Sequence, residues 1–247
     1  MASLREFPWF DLQMTSLPLP VAQLTSLTKL DLVGCSKLNT LPDAVGELVA
    51  LTWLDLERCS SLTALPESIG RLVNLKTLRF DSCNSLTVLP ESTGLLVNLE
   101  LLNLQSCSSL MRLPESISRL TALTELYLGG CTNLTELPES ISRLTALVTL
   151  IAYDCTSLTA LPELMGQMTA LTQLNFTSCS KLARLPEWVL RRRTWTLLGL
   201  PPCITALPES IGQLTSLTEL DFRSCSLLTA LPESIGQLTA LTELSVQ

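Results

Sequence analysis

Cys35, Cys59, Cys83, Cys107, Cys131, Cys155, Cys179 and Cys203 follow one another at a constant interval of 24 residues, and a period that strict leaves few folds open. Pro42, Pro66, Pro90, Pro114, Pro138, Pro162 and Pro186 keep the same interval, and Pro18 extends it one unit toward the N-terminus. Pro208 and Pro232 resume it after a two-residue deletion, and Cys225 follows Cys203 by 22. A unit of this length cannot enclose a core alone, so each buries its apolar face on its neighbours and the chain winds into a solenoid. In the unit starting at Leu51, Leu54 and Leu56 alternate with Trp53, Asp55 and Glu57, which predicts a short strand with leucines inward and the other residues outward. Ten such strands predict one parallel sheet, about 45 Å long at ~4.8 Å per strand. Leu65, Ile69, Leu72 and Leu75 close the coil on its far side, where Pro66 suits the start of a helical or 3₁₀ turn. The wide far side and the narrow strand side bend the stack.

The unit as a whole reads LxxLxLxxCxxLxxLPxxIxxLxx, and this pattern resembles the leucine-rich repeats. The resemblance implies an α/β solenoid, a curved leucine-rich-repeat horseshoe with one parallel sheet on the concave face and short turns on the convex face. Residues 17–247 form that domain, with about ten coils, and residues 1–16 form an N-terminal cap-like segment. The cysteine followed by Leu-Pro-Glu-Ser-Ile-Gly is similar to plant-type intracellular repeats, as in nucleotide-binding disease-resistance receptors and Ras-group repeat proteins. The phosphate loop GxxxxGK[ST] of those receptors is missing, so the resemblance implies their fold and their mode of protein binding only.

Charge and composition narrow the function. A net charge of −7 repels phosphate backbones, and Arg191-Arg192-Arg193 is the only basic run, so no nucleic acid is expected as partner. No run of about 18 apolar residues predicts membrane insertion, and Met1 to Gln23 lacks a secretory-signal pattern. A cytoplasmic protein is the expectation, in which the sequons at Asn133 and Asn175 stay unused. The nine cysteines are odd in number, lack CxxC spacing and have no histidine beside them, so a structural ladder of Cys35, Cys59, Cys83, Cys107, Cys131, Cys155, Cys179, Cys203 and Cys225 is expected rather than disulfides or a metal. The recurrent Glu67, Glu91, Glu115, Glu139, Glu163, Glu187, Glu209 and Glu233, with Asp43, are copies of one environment, which cannot separate two pKa values for acid–base chemistry. No enzyme, cofactor or metal centre is expected.

Function is expected where the repeats disagree. Beside the invariant leucines, one strand column runs Lys29, Trp53, Thr77, Leu101, Glu125, Thr149, Gln173, Leu197, Glu219 and Glu243. A second runs Asp31, Asp55, Arg79, Asn103, Tyr127, Ile151, Asn175, Gly199, Asp221 and Ser245, and a third, just past the strand, includes Glu57, Asp81, Gln105, Gly129, Tyr153, Pro201 and Arg223. Large aromatic and aliphatic residues on a solvent face suit the centre of an interface. Trp53, Asp55, Arg79, Leu101, Tyr127, Ile151 and Tyr153 are therefore the expected contacts for a protein or peptide ligand, with Tyr127, Ile151 and Tyr153 forming one patch.

Three places break the pattern. In the eighth coil, Trp188 to Trp195 puts Arg192 at a leucine position, and the cysteine spacing locates the deletion in the loop from Cys203 to Leu207. Leu190 or Trp195 is expected to refill the core while the arginines turn outward as a basic knob. At the N-terminus Phe7, Trp9, Phe10 and Leu12 are expected to cover the first coil, with Pro8 discouraging strand addition. At the C-terminus Leu244-Ser-Val-Gln stops within a strand, uncapped, so either the chain is part of a longer protein or its edge pairs with a second copy in a two-fold dimer.

Overall fold

A computed structural model describes residues 6–8, 15–17, 21 and 23–246. Eleven three-residue strands stack in chain order into one parallel sheet: β1 (Glu6–Pro8), β2 (Lys29–Asp31), β3 (Trp53–Asp55), β4 (Thr77–Arg79), β5 (Leu101–Asn103), β6 (Glu125–Tyr127), β7 (Thr149–Ile151), β8 (Gln173–Asn175), β9 (Leu197–Gly199), β10 (Glu219–Asp221) and β11 (Glu243–Ser245). β2 to β11 are the ten strands of the repeat; β1 lies outside it. Pro8 does not prevent strand addition, for Glu6–Pro8 run parallel to Lys29–Asp31. A proline is tolerated there because an outermost strand can spare a donor. Trp9, Phe10 and Leu12 lie outside the described residues.

Backbone pairing continues past each strand, which makes the ladder longer than three residues. Leu56 N–H donates to Arg79 O at 2.9 Å and Arg58 N–H to Asp81 O at 2.7 Å, each reaching the next coil. The chain then turns through a left-handed residue just before the cysteine: Gly34, Arg58, Ser82, Ser106, Gly130, Asp154 and Ser178 all have φ between 54° and 77°. On the convex side, five-residue 3₁₀ turns such as Glu67–Arg71 and Glu115–Arg119 follow the prolines, which stand as N-caps and accept through their carbonyls. The convex acids also have local work, because Glu67 accepts from Ser92 N–H at 3.3 Å and Glu91 from Ser116 N–H at 3.1 Å, each one coil on.

Between sheet and turns the leucines form one continuous core, and those of the middle coils, including Leu54, Leu56, Leu120 and Leu126, are wholly buried. Each full burial removes enough apolar surface to contribute about 2 kcal/mol. The thiols run beside this core. Sγ of Cys59, Cys83, Cys107, Cys131, Cys155 and Cys179 each donates to a carbonyl 27 residues earlier, from Leu32 to Ala152, at 3.0 to 3.2 Å. Burial pushes the Cys83 and Cys131 thiols up to about 12, so they persist as neutral donors.

The eighth coil departs from this plan, and in a different place from the one the spacing suggests. Pro202 stands 24 residues after the left-handed Ser178. Proline fixes φ near about −65° and has no N–H, so it can neither make that turn nor donate from it. The chain omits the turn altogether. Ile204 N–H donates to Pro201 O at 3.3 Å, as Leu182 N–H does to Cys179 O at 3.0 Å, so Pro201 occupies the cysteine position. Pro201 is buried there, and Cys225 Sγ donates to its carbonyl at 3.2 Å. Cys203 is thereby off the ladder, half-buried in the turn beyond. The deletion removes the turn after the strand and not the loop after Cys203.

Of the three arginines expected to turn outward, Arg191 and Arg193 are exposed but Arg192 is not. Trp195 is wholly buried in the place of Leu171, with its Nε1–H donating to Val189 O at 2.7 Å. Arg192 points inward. Its guanidinium donates to Met168 O, to Leu171 O at 3.2 Å and to Gly166 O at 2.6 Å. It also lies over the Trp188 and Trp195 rings, at 5.8 and 5.2 Å from their centroids. Carbonyls exposed at the end of a turn are good acceptors for a guanidinium, and the indole faces favour its charge. Arg191 pairs with Glu187 at 2.8 Å and Arg193 donates to Gln213 Oε1 at 2.7 Å.

Candidate functional site

The strand columns face the concave side, but they are not equally free. In the second column Asp31, Asp55, Asn103, Asn175 and Asp221 each accept, through Oδ1, the N–H two residues on. These side chains hold the strand-to-turn bend, a local bond that Asp and Asn make readily. Asp55 is only 4% exposed, so it is part of the frame and not a contact residue. Where Arg79, Tyr127 and Ile151 replace the acid or amide, the side chain is released for other use.

Arg79 gathers the acidic end of the face. Its guanidinium lies 3.3 Å from Asp55 Oδ2, 3.2 Å from Glu57 Oε2 and 3.3 Å from Asp81 Oδ1, while Asn103 Nδ2 donates to Asp81 Oδ1 at 2.6 Å. Burial alone would lower the Arg79 pKa, but the hydrogen bond to Asp81 and the other carboxylates raise it overall. Asp55 moves up, because burial outweighs the Glu57 N–H and the Arg79 charge. One guanidinium meets three carboxylates, so the cluster keeps a net negative charge while its groups are already committed to one another.

The structure brings Tyr127, Ile151 and Tyr153 together over β6 and β7. Tyr127 and Ile151 are partners in register. The Tyr153 ring lies flat across Gly129, where an added Cβ would come within 2.5 Å of it, and its hydroxyl accepts from Gln105 Nε2 two coils away at 3.3 Å. A glycine in the third column is thus explained by the ring that covers it. Tyr127 donates to Glu125 Oε2 at 2.6 Å; burial, then that bond and charge, pushes its phenol up to about 12. All three side chains are half-buried, and the two tyrosines are held at their hydroxyls.

Trp53 and Leu101 stand apart from that patch. Trp53 lies on β3 with Lys29 Nζ 5.4 Å from its ring centroid. Leu101, on β5, is in register with Thr77 and Glu125 and so sits diagonally from Tyr127. Sequence reading missed the acceptor role in the second column, although the recurring Asp31, Asp55, Asn103, Asn175 and Asp221 were a legible signal for it. Among the described residues no cluster of His, Cys, Asp and Glu is arranged to hold a metal ion, and no helix is long and apolar enough to cross a membrane.

Comparison with known proteins places this geometry. The Leucine Rich Repeat family model matches residues 122–144 and 216–238. No curated protein matches the sequence. Among solved structures, the chain is similar to the leucine-rich repeat domain of the type III effector XCV3220 (XopL), with 27% identity and a TM-score of 0.72 over 100% of this chain and 77% of that one. It also resembles the Leptospira interrogans leucine-rich-repeat protein LIC12759, at 25% identity and a TM-score of 0.51 over 98% and 84% of the two chains. The ectodomain of the Arabidopsis receptor kinase HAESA, solved with a peptide hormone ligand, shares the fold at 24% identity and a TM-score of 0.67, this chain spanning 97% of itself and 45% of HAESA. The periodic sheet, the partial family match and these neighbours agree on a leucine-rich-repeat fold, here built from cysteine-containing coils.

Proposed function

We propose that this chain is a protein-recognition module that docks a protein or peptide ligand on its concave strand face, centred on Tyr127, Ile151 and Tyr153. The observation that carries this reading is the Tyr153 ring held across Gly129 beside Ile151 and Tyr127. A half-buried aromatic fixed at its hydroxyl loses little side-chain freedom on binding, which favours its use as an anchor. The peptide held by the related HAESA ectodomain supports the same use of the fold. Nine free thiols suit a reducing compartment such as the cytoplasm, and a recognition or regulatory part in an immune-receptor-like or signalling protein is the role proposed there.

The test is affinity capture with wild type beside a variant carrying Tyr127→Ala, Ile151→Ala and Tyr153→Ala. A partner kept by wild type and lost by the still-folded variant is expected, each anchor contributing about 2 kcal/mol. Equal capture would remove the concave face from consideration.

A second reading is end-to-end self-association through the outer edge of β11. It is favoured by the exposure of Leu244 (41%) and Val246 (54%), since Leu220, the partner of Leu244 in register, is buried. Light scattering at high concentration would show a dimer if this edge is used, and a monomer mass would dismiss it.

A further inference from the structure

The omitted turn of the eighth coil leaves a hollow in the concave face. Two side chains are missing from the concave face of this coil at once, because the second column holds Gly199 and Pro201, past the strand, is drawn into the cysteine position. The turn that would stand beyond them is absent as well. Ser178 N–H, whose counterparts in other coils donate to a carbonyl of the next coil, instead donates across the eighth coil to Ser224 Oγ at 2.9 Å. The result is a hollow of about 640 Å³ opening between β7 and β10, with Ile151, Leu197 and the Tyr153 ring as apolar walls and Asp154, Arg223 and Ser224 at its rim.

Charge decides what fits. Arg223 is the one base near the hollow, and Asp221 engages it through both carboxylate oxygens, with Nη2 to Oδ2 at 2.7 Å and Nε to Oδ1 at 3.1 Å. Asp154 on one rim is exposed, and on the far side of Leu197 Glu219 and Glu243 stand in register on neighbouring strands, both exposed and lining a second depression that shares Leu197 and Arg223 with the hollow. Like charges opposed in this way repel unless a cation lies between them. We propose that the hollow receives an apolar side chain of an extended, lysine- or arginine-rich segment of a partner protein, whose basic residues on either side meet Asp154, Glu219 and Glu243. The assignment rests on the concave-face reading above and names the chemistry of the partner it needs.

The test is fluorescence anisotropy with two labelled nonapeptides, one alternating lysine and leucine and one alternating glutamate and leucine. Wild type is expected to bind the lysine peptide at least tenfold more tightly, with affinity falling as salt rises. Leu197→Asn should weaken that binding about fivefold by removing the apolar wall, and Glu219→Lys with Glu243→Lys should weaken it tenfold or more. These positions are on the solvent face of strands, and a thermal melt confirms that each variant folds. No binding of the lysine peptide, equal binding of both peptides, or indifference to Leu197→Asn would each overturn the assignment. Tyr127→Ala, which lies outside the hollow, separates the two readings: partner capture lost on Tyr127→Ala while the hollow variants change nothing sinks this inference and leaves the concave-face reading standing, whereas capture unchanged by the triple alanine variant removes that reading.

Discussion

The fifth and eighth coils are built from the same period and solve it differently. In the fifth, Gly130 turns at a φ of 76°, Cys131 donates to Leu104 O, and Leu120 is buried against its neighbours. In the eighth, Pro202 replaces the turning residue, Pro201 replaces the cysteine and Arg192 replaces the leucine. The coil still closes, because Trp195 fills the core and the guanidinium satisfies carbonyls of the coil before it. A solenoid tolerates such a coil since each unit contacts only its neighbours and a local repair suffices. The difference teaches that a consensus position records a spatial requirement, here a filled core and satisfied carbonyls, which more than one side chain can meet.

Substitutions at equivalent positions sharpen this comparison. Leu120→Ala should have the largest effect, about 3 kcal/mol in urea unfolding, from lost burial and the cavity left behind. Arg192→Ala should cost about 2 kcal/mol by the same measurement, by leaving the carbonyls of Gly166 and Leu171 without their donor. If Arg192→Leu, which restores the usual residue, stabilises the protein instead, the guanidinium is dispensable and the repair described here is wrong. Among the thiols, Cys107→Ala should cost about 1 kcal/mol through its lost bond and packing, and Cys203→Ala less than about 0.5 kcal/mol. Consistent with that, Cys203 should react with a thiol reagent before the eight buried cysteines of the native protein, as followed by mass spectrometry.

A smaller effect concerns the concave patch of the fifth coil. The Tyr127 phenol is held up to about 12 by burial and by Glu125, against an ordinary value of 10.0. Its folded-state pKa is raised, so the stability linked to its proton is full below about pH 10 and is lost as pH rises through about 12. Ultraviolet titration should show this phenol ionising late, and Glu125→Gln should bring it back toward the ordinary range. A curve unchanged by that substitution would mean that the bond between Tyr127 and Glu125 is not formed in solution.

The sheet, its parallel order and the buried leucines were legible because each is repeated: Leu54 has counterparts 24 residues away on both sides, and a shared pattern can only mean a shared environment. The second column was harder to read. Asp55 and Tyr127 occupy the same place in their coils, yet one accepts a backbone N–H in the frame and the other reaches the surface, a distinction drawn by side-chain length and chemistry within a fixed backbone. Grouping Tyr127, Ile151 and Tyr153 was possible from strand register. The ring of Tyr153 crossing Gly129 was not, since it depends on a rotamer set by Gln105 two coils away.

By itself, then, the sequence determined the repeat, the number of its coils and which leucines face inward, because periodicity of 24 and alternation of two are properties of the chain. Tertiary structure alone decided the path of the eighth coil. Spacing counted Cys203 as one more copy, but the backbone cannot turn through Pro202, and the hydrogen bonds of neighbouring coils placed Pro201 on the ladder in its stead. Periodicity reports what adjacent coils require in common; only their contact shows how one coil meets that requirement when its residues differ.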